Sequence, residues 1–409
     1  MSDPVLHSTA PATGGRDSAH CTAPAAPRSL NAAPPPLTWD VFCHVIDNWG
    51  DVGVCWRLCQ QLATAGQRVR LWIDDADALD WMAPGARAGQ VPCVQIHPWP
   101  RGRADCPPPS LPPADVLVEA FGCHVPDAWV AALLPPAGRD GRPSVWLNLE
   151  YLSAEPWVAR SHGLPSPVLS GPLAGRTKWF FFPGFAPDTG GLLREADLAR
   201  RQAHFDAQAW RAACGPHDSP WVSLFCYEPS ALPRLVAQPA LATAQWLVAA
   251  GRSAAAWAAL APPLPSGAAV RVLESVSQPS FDERLWACDL NLVRGEDSLV
   301  RALWAGRAFL WQLYPQDDGA HHDKLEAFLA WLDAPPDWQA WLRAWNGTPG
   351  VDPPALTTER LAQWQVTARA ARDRLWAQDD LLTRLLAFVH GRRGTMWGSS
   401  VESPPPEVP

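Results

Sequence analysis

The chain has 409 residues, more than one ordinary hydrophobic core accommodates, so its length points to two domains. It is 47% hydrophobic and 18% charged with 24 tryptophans, a globular composition with much aromatic surface to bury. The formal net charge is −8 and Lys178 and Lys324 are the only lysines, which argues against nucleic-acid binding driven by phosphate contacts.

Residues 1–36 are rich in Pro, Ala and Ser and read as a disordered extension, as does the tail 394–409. The N-terminus lacks a basic segment followed by an apolar one, so no secretory signal is expected. "WDVFCHVID" reads as a strand buried on both faces. "VGVCWRLCQQLATAG" follows with apolar residues at helical spacing and Gly66 as C-cap. "QRVRLWIDD", "PCVQIHPW", "DVLVEAFG" and "PSVWLNLEYL" continue as strands, with helices such as "VPDAWVAALL" between them. Alternation of this kind implies an open, mostly parallel sheet.

The stretch 191–217, with its charged helix, reads as a connection. A second series then begins with "WVSLFCYE" as a strand and "LATAQWLVAAG" as a helix. "GAAVRVLES", "CDLNLVRG" and "AFLWQLYP" read as further strands, and helices close the chain. The expectation is two Rossmann-like domains, 37–190 and 218–377, facing across a cleft. Ten scattered cysteines without a C-x-x-C pair read as buried thiols in a reducing compartment. No apolar run approaches the ~18 residues of a membrane span, so a cytoplasmic location is expected.

Ligands bind open parallel sheets at the carboxyl ends of strands, and four polar clusters fall at such ends. In "DNWGDVG" two glycines near a helix start could admit a ligand to the backbone amides. The dinucleotide fingerprint G-x-G-x-x-G is absent, and Asp47 and Asp51 would repel phosphate, so a cationic or proton-donating partner suits them better. Helix capping explains Asp51 but leaves Asp47 without a reason. In "RGEDSLVRALWAG" the helix-start amides, the Ser298 hydroxyl and Arg294 could bind a diphosphate; Glu296, Asp297 and Ser298 are also ordinary helix-start residues.

"LYPQDDGAHHDKLEAF" brings together Asp317, Asp318, His321, His322 and Asp323, but adjacent histidines on a helix point apart. A polar helix entry is the better reading there than a metal site. Phe225, Tyr227 and Phe281, near strand ends of the second half, could sandwich a base, with core packing as the alternative. His124 and His162 read as structural, and Cys55 with Cys59 as core.

Taken in order, "VIDNWGDVGVCWRL", "NLEYLSAEPWV" with "HGLPSP", "KWFFFPGF" with "TGGLLRE", "SLFCYE" and "RGEDSLVRALWAGRAFLWQLYPQDDGAHHDKLEAFL" resemble the bacterial protein-arginine rhamnosyltransferases. Those enzymes modify one arginine of translation elongation factor P with dTDP-β-L-rhamnose. The resemblance runs from about Val41 to His390. It implies an α/β GT-B fold, inversion at the sugar carbon, no metal, and a last helix (378–393) that returns to the first domain. It further implies that Asp47, Asp51 and Glu296 are essential acids, with Asp51 the candidate base. Arg294, Asp297, Ser298 and Tyr227 match residues around the diphosphate, and Phe225, Gln278 and Phe281 match the thymine pocket. One departure is Glu274–Ser275–Val276–Ser277, where relatives tend to carry another aromatic.

Arginine is a poor nucleophile because its guanidinium, with a pKa of about 12.5–13.8, holds no free lone pair at neutral pH. Carboxylates can orient its planar fork and accept the proton as the C–N bond forms. Two rival classes are a GT-B enzyme with a small-molecule or lipid acceptor, and a non-enzymatic nucleotide-binding protein. The first gives no reason for the Asp47 and Asp51 pair, and the second predicts that Asp51→Asn leaves function intact.

Overall fold

The computed structural model describes residues 36–45, 49–99, 108, 110–215, 219–260, 263–316 and 319–394. Most of the Pro/Ala-rich extension and of the tail lies outside these residues, as do Asp47, Asp317 and Asp318.

The first sheet has seven strands: β1 (Thr38–Cys43), β2 (Arg68–Ile73), β3 (Val94–Pro98), β4 (Val116–Ala120), β5 (Val145–Leu149), β6 (Pro165–Pro167) and β7 (Thr177–Phe181). Their order is β3-β2-β1-β4-β5-β7-β6, parallel except for β6 against β7. The second sheet has β8 (Trp221–Leu224), β9 (Gln245–Val248), β10 (Ala269–Val272), β11 (Leu290–Arg294) and β12 (Ala308–Gln312), ordered β10-β9-β8-β11-β12 and wholly parallel. Both are Rossmann-like sheets in which the winding direction reverses beside the first strand, between β1 and β4 and between β8 and β11. Together they make a GT-B fold. Among the described residues no helix is long and apolar enough to cross a membrane.

Strand β1 shows why alternation fails to appear in the sequence. All six of its residues are buried. Trp39, Val41 and Cys43 enter one apolar cluster and Phe42 enters another on the opposite face. Asp40 is tolerated on that second face because Arg70 grips it with Nε at 2.5 Å and Nη2 at 2.6 Å, and Trp72 adds an indole N–H at 2.8 Å. The helix Leu381–Arg392 packs Leu381, Leu385, Leu386 and Val389 into the same cluster as Val41 and Leu71. Just beyond it, Arg393 pairs with Asp115 at 3.4 Å and Asp140 at 2.6 Å.

Two local expectations are corrected. "LATAQWLVAAG" is not a helix: Pro239–Leu241 makes one tight turn, Gln245–Val248 is β9, and the helix begins only at Arg252. Alanine and leucine favour a helix, but pairing on both sides and burial of Trp246, Leu247 and Val248 outweigh that preference. The charged connection is two helices, Leu198–His204 and Ala207–Cys214. Asp206 separates them, its carboxylate accepting the Gln208 and Ala209 N–H groups at 2.9 Å each.

A buried ion network joins the two sheets. Arg57, on the helix Gly50–Thr64 that follows β1, reaches Asp282 at 3.1 Å, Asp297 at 3.0 Å and Glu195 at 3.1 Å. Arg301, on the helix Gly295–Ala305 that follows β11, grips Asp282 with Nε at 2.9 Å and Nη2 at 2.8 Å, and Glu195 at 2.8 Å. Burial alone would push the Glu195 carboxyl up, but the Arg301 and Arg57 charges outweigh it and hold it at about 2.

A carboxylate held below its ordinary 4.5 adds stability that is fully present above that value and is lost as the pH falls toward about 2. Glu195→Gln is therefore expected to melt below the wild type at neutral pH, with the difference shrinking as pH drops from 4.5 toward 2. A pH series of thermal melts checks this; parallel curves for the two proteins would exclude it.

Candidate active site

The turns after β8 and β11 face each other at the switch point of the second sheet, and together they line a cavity of about 850 Å³. Arg294, the last residue of β11, is buried and lies between two rings, 4.6 Å from the Phe225 centroid and 4.5 Å from that of Tyr227. Phe225 meets Phe281 edge to face at 5.7 Å. Gln278 opens the helix Gln278–Ala287 and donates from Nε2 to the Gly53 carbonyl at 2.9 Å, reaching the first sheet's helix. Its Oε1 is buried without a hydrogen-bond partner. Trp49 and Trp81, in edge-to-face contact at 5.2 Å, and Met82 form the opposite wall. Phe225, Tyr227, Gln278, Phe281 and Arg294, widely spaced in the sequence, thus meet in one aromatic and cationic pocket.

The Arg294–Ser298 turn is held from within. Gly295 sits at φ +64°, a left-handed conformation that carries the chain from an extended strand directly into a helix. The Ser298 hydroxyl accepts the Arg294 N–H at 3.0 Å and donates to the carbonyl of the same residue. Asp297 turns to Arg57. Burial raises its pKa, and the Arg57 charge opposes that shift. Ser298 and Asp297 therefore do a structural task that their motif does not disclose, while both still line the pocket.

A second cavity of about 1460 Å³ adjoins the first, and Gly50, Gly295, Glu296 and Asp297 line both. Asp51, Glu150, Glu155, Glu296 and Asp297 supply its carboxylates, and Lys324 also faces it. Asp51 is buried in the first turn of its helix, where the helix dipole favours negative charge. Glu296 has both oxygens engaged, one by the Leu152 N–H at 2.7 Å and one by Lys324 at 2.6 Å. Glu155 accepts the Ser153 hydroxyl at 2.9 Å. Glu150, at the end of β5, takes the Asn148 amide; burial raises its pKa, and the nearby Glu296 adds to the rise. Aromatic rings complete the cavity: Tyr151 stacks on Phe121 at 5.0 Å, Trp157 meets Phe182 at 5.3 Å, and Tyr151, Trp157 and Tyr314 are exposed.

Asp51 and Glu296 therefore share a cavity although they come from different sheets, whereas Asp47 lies outside the described residues. Glu150 and Glu155 were not singled out by sequence. The available signal was an acid directly after a strand's carboxyl end, inside the stretch "NLEYLSAEPWV". His321 accepts the Gln316 N–H at 3.2 Å and His322 lies 3.3 Å from the Thr348 hydroxyl. Among the described residues no group of three or more His, Cys, Asp or Glu side chains is placed to hold a metal ion.

The family model for the elongation factor P (EF-P) rhamnosyltransferase EarP matches residues 39–390. A protein-arginine rhamnosyltransferase of Pseudomonas putida is 43% identical over 388 residues, covering 86% of this chain and 98% of its own. One from Pseudomonas aeruginosa is 41% identical over 386 residues, with 86% and 98% covered. A solved structure concerned with EarP-mediated arginine glycosylation of translation elongation factor EF-P matches with a TM-score of 0.56 at 30% identity, covering 87% of this chain and 99% of that one.

The left-handed turn at Gly295 has a measurable consequence. Gly295→Ala is expected to cost about 1–2 kcal/mol, because a Cβ clashes with the following carbonyl in that conformation. Urea denaturation reads the loss, and a neutral substitution would mean the turn relaxes without strain.

Proposed function

The chain belongs to the EarP family of EF-P rhamnosyltransferases, and we propose that it transfers L-rhamnose from dTDP-β-L-rhamnose to one arginine of EF-P, with inversion at the sugar carbon. EF-P modified in this way would be the form that relieves ribosomes stalled at polyproline, in the cytoplasm. The observation that carries the reading is the junction of the two cavities. An aromatic and cationic pocket suits a nucleotide diphosphate, and a carboxylate-lined, aromatic-walled one suits a guanidinium.

On this reading Arg294 and the first amides of the Gly295–Ala305 helix take the diphosphate. The acids of that turn do not oppose this, since Arg57 balances Asp297 and Lys324 balances Glu296. The acceptor guanidinium enters from the side of Asp51, opposite the leaving group. Its nitrogen bonds to the anomeric carbon, the bond from that carbon to the diphosphate oxygen breaks, and the nitrogen's proton passes to a carboxylate. Asp51, buried on the first turn of its helix and lining the acceptor cavity, is the candidate acceptor for it, while Glu296 is fixed in place by the Leu152 N–H and Lys324. Glu296 then orients the fork, and the released dTDP is stabilised by Arg294 and the helix start.

Incubating the protein with EF-P and dTDP-rhamnose is expected to add one deoxyhexose to a single arginine, read by peptide mass spectrometry. No mass gain would sink the assignment. Asp51→Asn should lower kcat by about 10²- to 10⁴-fold and leave dTDP affinity unchanged, as removal of a general base requires. Turnover is expected to persist in EDTA. A loss that Mg²⁺ restores would refute a diphosphate site served by Arg294 and amides alone.

A further inference from the structure

Six arginines are buried among the described residues: Arg57, Arg70, Arg284, Arg294, Arg301 and Arg393. Five have polar partners within the protein. Arg57 and Arg301 share Asp282 and Glu195, Arg70 holds Asp40, Arg393 holds Asp115 and Asp140, and Arg294 donates to the Cys226 carbonyl at 3.4 Å. Arg284 stands apart. It is 4% exposed, and among the described residues no carboxylate and no hydrogen-bond acceptor reaches its guanidinium. The titratable group that acts on it is Cys288, just past the end of its helix, a thiol that burial raises to about 12 and so keeps uncharged. Desolvation accordingly lowers the pKa of Arg284 itself. A buried cation with nothing to balance it is costly, and proteins retain one where a ligand supplies the missing acceptor.

The position of Arg284 says which part of a ligand it meets. It lines the first cavity one turn after Phe281, its guanidinium carbon 5.8 Å from the Phe281 centroid. Contacts link it to the rings and to Arg294. Arg294 lies 4.6 Å from the Phe225 ring, Phe225 lies 5.7 Å from Phe281, and Arg284 lies 5.8 Å from Phe281. A nucleotide whose diphosphate lies at Arg294 places its base along the two phenylalanines and its outer edge toward Arg284. In that part of the pocket Ala249, Ala250 and Ser275 offer no competing charge, and Glu274 is exposed and forms no ion pair with Arg284. Residues 274–277 also supply no aromatic ring against the base, which leaves edge contacts a larger share in holding it.

We propose that Arg284 is a donor-binding residue that donates its guanidinium N–H groups to a carbonyl on the outer edge of the pyrimidine. The inference rests on the nucleotide-sugar reading above and adds to it the group that recognises the base. A guanidinium presents donors only, so it favours a base edge that carries oxygen acceptors.

Fragment titration of the intact protein separates the alternatives, with calorimetry as readout. Wild type, Arg284→Met and Arg294→Met are each titrated with dTDP, thymidine and inorganic pyrophosphate. For Arg284→Met we expect thymidine and dTDP affinity to fall about tenfold, as loss of a charged hydrogen bond requires, with pyrophosphate affinity unchanged. Arg294→Met should show the opposite pattern, losing pyrophosphate. In turnover, Arg284→Met should raise the donor KM by about the same factor and leave kcat within about twofold. Undiminished thymidine binding by Arg284→Met, or a selective loss of pyrophosphate, overturns the proposal. If Arg284→Met does not fold, Arg284→Lys, which keeps the charge but loses the fork, is judged by the same criterion. Failure of the wild type to bind dTDP would instead overturn the donor assignment itself.

Discussion

The separation between Asp51 and Glu296 depends on one buried ion network. Arg57 lies on the helix that carries Asp51, and Asp297, which it binds, is the residue after Glu296. Asp282 and Glu195 are gripped by Arg57 from the first sheet's helix and by Arg301 from the second's. Each of these charges would be expensive to bury alone, and apolar residues of the same volume would serve stability as well. Bidentate geometry supplies something apolar contacts do not, namely one orientation of the first-sheet helix against the Arg294–Ser298 turn. Because Asp282 and Glu195 are each held by both arginines, loss of one member leaves a charge imbalance in a buried network and not a single isolated ion.

This arrangement lets two chemically opposed sites share a wall. On the proposed function, a donor side needs positive charge for a diphosphate, and an acceptor side needs negative charge for a guanidinium. Glu296 and Asp297 stand between them and line both cavities. Lys324 pairs with Glu296 and Arg57 with Asp297, so each of these acids has a cation beside it. The aromatic residues divide between the two cavities as well, with Phe225 and Phe281 lining the first and Tyr151, Trp157 and Tyr314 the second.

The residues legible in the sequence were those whose motif and place coincide. Asp51 and Glu296 each follow a strand of the switch point, where ligands bind in parallel sheets, and Arg294 ends such a strand. Asp297 and Ser298 were legible as site residues but not in their task, because the Ser298 bond to its own turn and the Asp297 pair with Arg57 are internal contacts. Glu150, Glu155 and Arg284 were missed. An acid after a strand is common, and a lone arginine inside a helix such as "QPSFDERLW" looks like any solvent-facing charge.

Strand and helix alternation and two successive series were determined by local composition, because buried parallel strands need short apolar runs and their crossovers need amphipathic helices. The same local rules failed at Gln245–Val248, where partners on both sides decided in favour of a strand. Which acid is neutralised, which arginine lacks a counterion and which side chains share a cavity were decided only in three dimensions. Those properties depend on residues far apart in sequence, as Arg57 and Asp297 are, and on the water their contact excludes.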